Sequence, residues 1–326
     1  MADMHLVKRH VYELEPIRKG FGKGLLEVGK QNDKVVALCA DLAESTQMHL
    51  FAEAYPERFI QVGVAEQNLV TVGAGLAAVG KIPFVSSYAA FSPGRNWEQI
   101  RTTICINNRP VKIIGSHAGI SVGADGATHQ MLEDLALMRA LPNMVVIAPC
   151  DSIEAAKATN AMADDPQPNY MRLAREATPI ITSAKTPFQI GEAYIFRPGN
   201  DLTIAATGTM TYQALEAAKL LAKDGIEAEV LHIPTLKPLN MEVILDSAAR
   251  TGFVLTVEEA QINGGLGGAI AELLGEQLST PLRRLGMRDH FGESGQPDEL
   301  LEHFGLNAKH IAAAAHNLLT PARRRR

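Results

Sequence analysis

Cysteine is scarce: the 326-residue chain has three, Cys39, Cys105 and Cys150, none of them closely spaced. Isolated thiols supply neither a disulfide framework nor a zinc site, so a reducing compartment, the cytoplasm, is expected. Long hydrophobic runs are missing as well. The longest, Leu69–Gly80, is broken by glycines, ends at Lys81 and is too short to cross a bilayer. The residues up to Lys19 are interrupted by charge and hold no apolar stretch of the kind a secretory signal needs. There is no basic excess either. Lys and Arg number 31 against 36 Asp and Glu, a net charge of −5, which argues against a nucleic-acid partner. No Walker-type phosphate loop, hydrolase nucleophile elbow or paired-histidine zinc helix occurs in the chain.

What is present suits a globular protein. Hydrophobic residues make up 46% of the chain, enough for real cores, and the length suggests about two domains. Short apolar runs at Val35–Ala40, Val111–Ser116, Met144–Pro149, Leu202–Thr207, Ala228–Ile233 and Phe253–Val257 read as strands buried on both faces. Helical segments alternate with them. Asp151 and Glu154 form a capping box, and Thr211–Lys223 puts Leu215, Ala218 and Ala222 on one stripe before Gly225. A further helix begins at Gly267, carrying Ile270, Leu273 and Leu274. Alternation of this kind implies mostly parallel sheets with helices on both faces. The proline-rich stretch Thr178–Asp201, with a short strand around Ala193–Phe196, places a boundary near residue 180 between two α/β domains, 1–180 and 188–320. A solvated basic tail is expected at 321–326.

The densest polar segment runs from Gly115 to Gln130 and follows a predicted buried strand, so it lies at a carboxyl edge where open α/β sheets place ligands. His117, Asp125 and His129 fall within it, among glycines that let the backbone turn tightly. Their spacing does not suit a metal, and no metal-ligating residue is expected in this chain. Glu66, in Gly63-Val64-Ala65-Glu66-Gln67, has two readings: a first-turn glutamate favoured by the helix dipole, or a desolvated acid facing a ligand nitrogen. Arg18 and Arg175 are surface charges or, with their planar forks, anion ligands. Asp41, Leu42 and Ser45 follow another predicted strand; Tyr88 and Phe91 are core aromatics or a stacking pair for a flat ring. The run Gly264-Gly265-Leu266-Gly267-Gly268 lacks a full dinucleotide fingerprint and reads as a tight turn packing a helix on its sheet.

Two segments carry a family resemblance. His117 to Gln130 resembles the transketolase signature His-Asp-Ser-Ile-Gly-Val-Gly-Glu-Asp-Gly-Pro-Thr-His-Gln in spacing, and Asp289-His290-Phe291-Gly292-Glu293-Ser294-Gly295 resembles its Asp-x-Phe-Gly-x-Ser-Gly. The resemblance covers nearly the whole chain and corresponds to the C-terminal half of transketolase, a pyrimidine-binding domain followed by the C-terminal domain. It implies a thiamine-diphosphate-dependent transfer of a two-carbon ketol unit between a ketose phosphate and an aldose phosphate. By that resemblance Glu66 hydrogen-bonds N1′ of the thiamine aminopyrimidine, and Asp41, Leu42, Tyr88 and Phe91 line the cofactor. Arg18, Ser45, His117 and Arg175 bind the sugar phosphate. Asp125 reads a substrate hydroxyl, and His129 serves near the ketose C1 hydroxyl and carbonyl.

Some positions depart from the family: Ala118, Gly119, Ser121, Ala124 and Ala127 replace commoner residues, and Tyr88 stands where phenylalanine is usual. The Gly-Asp-Gly…Asn segment that holds the diphosphate and its Mg²⁺ or Ca²⁺ is absent from this sequence. The resemblance therefore implies a partner subunit bearing that domain and metal, in an α2β2 assembly. Alternatives are 1-deoxy-xylulose-5-phosphate synthase, whose loop is normally one residue shorter, the β subunit of a 2-oxoacid dehydrogenase E1 component, and a non-catalytic scaffold. A scaffold would be expected to lose Glu66 or His129, and both are present.

Overall fold

The computed structural model describes residues 4–7, 9 and 11–323. The first half holds strands β1 (Leu14–Pro16), β2 (Val35–Cys39), β3 (Phe59–Gln61), β4 (Ile82–Tyr88), β5 (Lys112–Ser116), β6 (Val145–Ile147), β7 (Asn169–Arg172) and β8 (Ala177–Pro179). The second holds β9 (Tyr194–Arg197), β10 (Leu202–Ala206), β11 (Ala228–His232), β12 (Thr235–Lys237), β13 (Val254–Gln261) and β14 (Leu282–Met287). The six strands expected from their apolar runs all form, with ends shifted by a residue or a few.

Among the described residues, the larger sheet has seven strands in the order β12-β6-β7-β5-β4-β2-β3, and the second has five in the order β14-β13-β10-β11-β9. All neighbours are parallel except β12 on β6 and β9 on β11. Every residue of β2 is buried, as a strand covered on both faces requires. β12 belongs to the second half of the chain yet completes the edge of the first sheet, so the two domains are laced together by backbone pairing. A continuous apolar core crosses the seam, from Val36, Leu38 and Val85 to Leu231, Ile244 and Ile270. The other face of the first sheet packs on the helices Ile17–Gln31 and Ser152–Asp164 through Phe21, Leu25, Ala155 and Ala158.

Four expectations need correction. The helix Met210–Lys223 buries Ala214, Ala217, Ala218 and Leu221, so its inward stripe is rotated from the one containing Leu215 and Ala222. Small alanines let the helix lie close to the sheet, and Leu215 instead packs sideways against the cluster that includes Tyr12. The tail is shorter than expected. The helix Ala308–Arg323 continues past residue 320, anchored by Ile311, Ala315 and Leu319; Arg324–Arg326 lie outside the described residues. The connection after residue 178 is also more ordered than its composition suggests. β8 pairs antiparallel with β1, and the Asp151 carboxylate accepts hydrogen bonds from the Ile181 amide (2.9 Å), the Thr182 amide (2.6 Å) and the Thr182 hydroxyl (2.8 Å). Asp151 caps its helix as expected, accepting from the Glu154 amide at 2.9 Å, but the Glu154 side chain reaches the Cys150 amide and does not close a capping box.

Candidate active site

The parallel strands β2, β4, β5 and β7 point their carboxyl ends the same way, and the polar loops follow them there: Asp41–Ser45, Tyr88–Phe91, His117–Gln130 and Arg175. Arg18, in the first turn of its helix, ties two of these loops together. Its Nη1 donates to the Ser45 carbonyl at 2.6 Å and its Nε to the Arg175 carbonyl at 3.2 Å. Arg175 Nη1 donates to the Val122 carbonyl at 2.7 Å and lies 3.6 Å from Asp125 Oδ2. Ser45 thus enters the network through its backbone.

Two half-buried guanidinium groups beside one another are an electrostatic strain. Burial, and then repulsion from Arg175, hold Arg18 below its ordinary pKa. His117 feels the same field. Burial first, then Arg18, Arg175 and His129, push its imidazole down to about 3, so it is neutral near pH 7. Its Nδ1 lies 2.9 Å from Ser116 Oγ.

The aromatic residues stand against this positive patch and are half-buried, not core. Tyr88 stacks over the His117 ring at 3.9 Å between centroids; Phe91 lies 5.9 Å from Tyr88, and His129 meets Phe91 edge-on at 5.5 Å. His129 Nδ1 is 2.9 Å from Thr128 Oγ1, which leaves Nε2 as the nitrogen free for a ligand.

Glu66 opens the helix Glu66–Ala78 and is only 2% exposed, so it is both a first-turn glutamate and a desolvated acid. Its Oε2 lies 3.4 Å from Arg95 Nη1, a long contact to a side chain that is mostly in solvent. Asn96 Nδ2 holds the Glu66 carbonyl at 2.8 Å, tying it to the turn that carries Phe91. Beside it opens a cavity of about 440 Å³, lined by Val64, Gln67, Asn68, Arg95 and Gln99. Asp41 is exposed, in a left-handed conformation with its amide held by Gln61 Oε1 at 2.7 Å, and Leu42 packs against the neighbouring core. The network around Arg18 includes neither of these two residues nor Glu66.

The structure also assembles groups the sequence reading passed over. The Tyr170 hydroxyl donates to buried Asp134 at 2.7 Å, with Arg172 Nε 3.1 Å from the same oxygen. Cys150, Glu154 and His232 bring ligand-type atoms within 4.8 Å of one another, fully buried between the domains. His232 Nε2 lies 3.0 and 2.9 Å from the two Glu154 oxygens and its Nδ1 is 2.8 Å from Thr211 Oγ1, so this is a hydrogen-bonded pair across the seam. Glu154 and His232 are far apart in sequence, and no spacing pattern could have joined them.

The geometry defines a two-domain α/β protein that gathers stacked aromatics and a pair of arginines at the carboxyl edge of its first sheet. Comparison with known proteins places it more closely. Residues 16–180 match the model of the transketolase pyrimidine-binding domain, and residues 191–311 that of the transketolase C-terminal domain. A putative transketolase C-terminal section from Methanocaldococcus jannaschii is 47% identical over 91% of this chain and 94% of its own length. The 6-deoxy-6-sulfo-D-fructose transketolase subunit SqwH of a Clostridium species is 45% identical over 90% of this chain and 91% of its own. A solved structure described as a split gene transketolase, inactive beta4 tetramer, superposes with a TM-score of 0.88 at 46% identity, covering 94% of this chain and 98% of that one. The chain belongs to the transketolase family, as its C-terminal section.

Proposed function

We propose that this chain is the pyrimidine-gripping half of a two-subunit transketolase, completed by a partner that carries the diphosphate-binding domain and its divalent metal. The observation that carries the reading is Glu66, a carboxyl withdrawn from water with, among the described residues, one long side-chain contact, and joined through Asn96 to the turn that holds half-buried Phe91. These groups fit the flat, nitrogen-bearing end of thiamine diphosphate. The other end finds no Gly-Asp-Gly in this sequence. Among the described residues, the one cluster of metal-ligand type contains a thiol and an imidazole, ill suited to a hard cation such as Mg²⁺.

Bound here, thiamine diphosphate supplies a nucleophilic carbon and an electron sink for breaking a carbon–carbon bond beside a carbonyl. Glu66 would hydrogen-bond the pyrimidine nitrogen N1′ through its carboxyl, while Tyr88, Phe91 and Leu42 would shield the ring and Asp41 would stand at the rim. His129 presents Nε2 to the ketose C1 hydroxyl and carbonyl, and Asp125 takes a sugar hydroxyl. Arg18 and Arg175, strained beside one another, gain most from an anion between them, and neutral His117 and Ser45 add hydrogen bonds to it. The substrate's far end is therefore anionic, a phosphate in the simplest case.

Mixing tests this. The purified chain alone, with thiamine diphosphate and Mg²⁺, is expected to show no transfer from a ketose phosphate to an aldose phosphate. Adding a Gly-Asp-Gly-bearing subunit is expected to start it, with both chains eluting together at the mass of an α2β2 tetramer. Full turnover by the single chain would overturn the split site, and condensation of pyruvate with glyceraldehyde phosphate would move the assignment to a deoxy-xylulose-phosphate synthase.

A further inference from the structure

The loop that carries His117, Asp125 and His129 is held from outside its own domain. The Ser121 amide, in the helical segment Ile120–Asp125 that kinks at Gly123, donates to Glu259 Oε1 at 2.6 Å. Glu259 lies on β13 of the second domain, 3% exposed, and its other oxygen accepts from Thr209 Oγ1 at 2.9 Å. Gly119 has φ +92°, and a Cβ there would overlap Glu259 Oε1. The loop is glycine at this point because the carboxylate passes through the space a side chain would fill. Two further bridges run alongside, one through an amide and one through a guanidinium. Gln130 Nε2 donates to the Ile120 and Gly123 carbonyls of the loop and to the Glu293 carbonyl of the second domain, and Arg172 Nη2 spans the carbonyls of Met131 and Glu259.

We infer that Glu259 is a positioning residue through which the second domain sets the geometry of the substrate loop. Glu259 offers one carboxyl oxygen to each of two donors, and of these the Ser121 amide has no way to reverse its role. Glutamine can substitute, because the Thr209 hydroxyl can turn and accept from the new NH₂ group. Alanine leaves the loop amide without its partner and opens the space beside Gly119. Displacing a substrate-orienting group by about 1 Å costs on the order of 100-fold in rate, so the loop need not unfold for the effect to be large.

Hydrogen exchange on the isolated full-length chain tests the brace directly. Glu259→Ala is expected to raise exchange at residues 119–123 at least about tenfold, leave the amides of β13 protected, and be rescued by Glu259→Gln. The substrate role rests on the transketolase reading, and is tested in the complex with the diphosphate-binding subunit. There Glu259→Ala is expected to raise KM for the ketose phosphate about 10- to 100-fold while the affinity for thiamine diphosphate is unchanged, since Glu66, Tyr88 and Phe91 lie off the loop. Unaltered exchange at Ser121, or cofactor affinity falling in step with KM, would overturn the inference. If the wild-type complex transfers no ketol unit but the exchange result holds, the brace stands and the enzymatic reading alone fails. Should the alanine chain not fold, Glu259→Asp keeps the charge but is one methylene too short for Ser121, and the same readouts decide.

Discussion

Two glycine-rich loops leave the carboxyl ends of buried strands in this protein, and they close in opposite ways. After β5, the loop His117–Gln130 leaves Asp125 exposed near Arg175 and His129 half-buried against Phe91, with His117 buried under Tyr88. After β13, the loop Gly264–Gly268 closes on its own protein. The amides of Leu266 and Gly267, at the start of the helix Leu266–Gln277, donate to the Glu258 carboxylate at 2.7 and 2.8 Å. A helix start of this kind receives an external phosphate in dinucleotide-binding folds, and here the acceptor is an internal carboxyl group. Glycine richness says only that the backbone approaches something closely. Whether that something is a ligand or a side chain of the same chain depends on residues elsewhere.

The largest effect expected from breaking this comparison is catalytic. Glu66→Gln, beside the open site, preserves shape and removes the acid, and donor cleavage by the assembled complex is expected to fall about 10²- to 10⁴-fold. Thermal unfolding of the chain should move little. Unchanged cleavage in this variant would reduce the first site to a scaffold and make the two loops alike.

Next comes a stability contrast. A Cβ at Gly265 would overlap Glu258 Oε2, which is buried and cannot retreat, so Gly265→Ala is expected to destabilise the chain by about 1–3 kcal/mol in a urea titration. Ala124 in the open loop is exposed, and Ala124→Ser should stay within about 0.5 kcal/mol of the parent. Equal costs at the two positions would mean that the first loop is as tightly filled as the second.

Much of this was legible from residue patterns, and the reasons are local. The strands announce themselves because both faces are buried and their runs are nearly all apolar, as in Val35–Cys39. The loop from His117 to Gln130 is visible because polar residues and glycines follow such a run. The Gly264–Gly268 run was rightly read as a packing turn, but its partner Glu258 was not seen, because a carboxylate at the end of a strand gives no sign of facing a helix start until the helix is placed. The helix Met210–Lys223 was found but set at the wrong rotation, since alanines and Leu215 satisfy either face on hydropathy alone and the sheet beneath chooses the smaller ones. Links across the domain seam, Glu154 with His232 and Arg172 with Glu259, were beyond reach, because they depend on how two separately legible units dock.

The smallest and most discriminating effect is in pH dependence, where the two loops should act with opposite sign. Burial, then the two arginines, holds His117 down to about 3 in the folded chain, against an ordinary value near 6.5. The unfolded chain then binds the extra proton, so this stabilising contribution is present above about pH 6.5 and is lost as pH falls toward 3. Glu258 behaves the other way. Burial pushes its carboxyl up to about 7, against the pull of the Gly267 and Leu266 amides, so its contribution is present below about pH 4.5 and is lost as pH rises through 7. Melting temperatures measured between pH 4.5 and 6.5 therefore contain two opposed slopes. Relative to the parent, His117→Asn should flatten the decline on acidification, and Glu258→Gln should remove the decline on going alkaline, each by a few degrees at most. If both variants tilted the curve in the same direction, the two loops would share one kind of burial, and the distinction between an open ligand edge and a closed internal clamp would be lost.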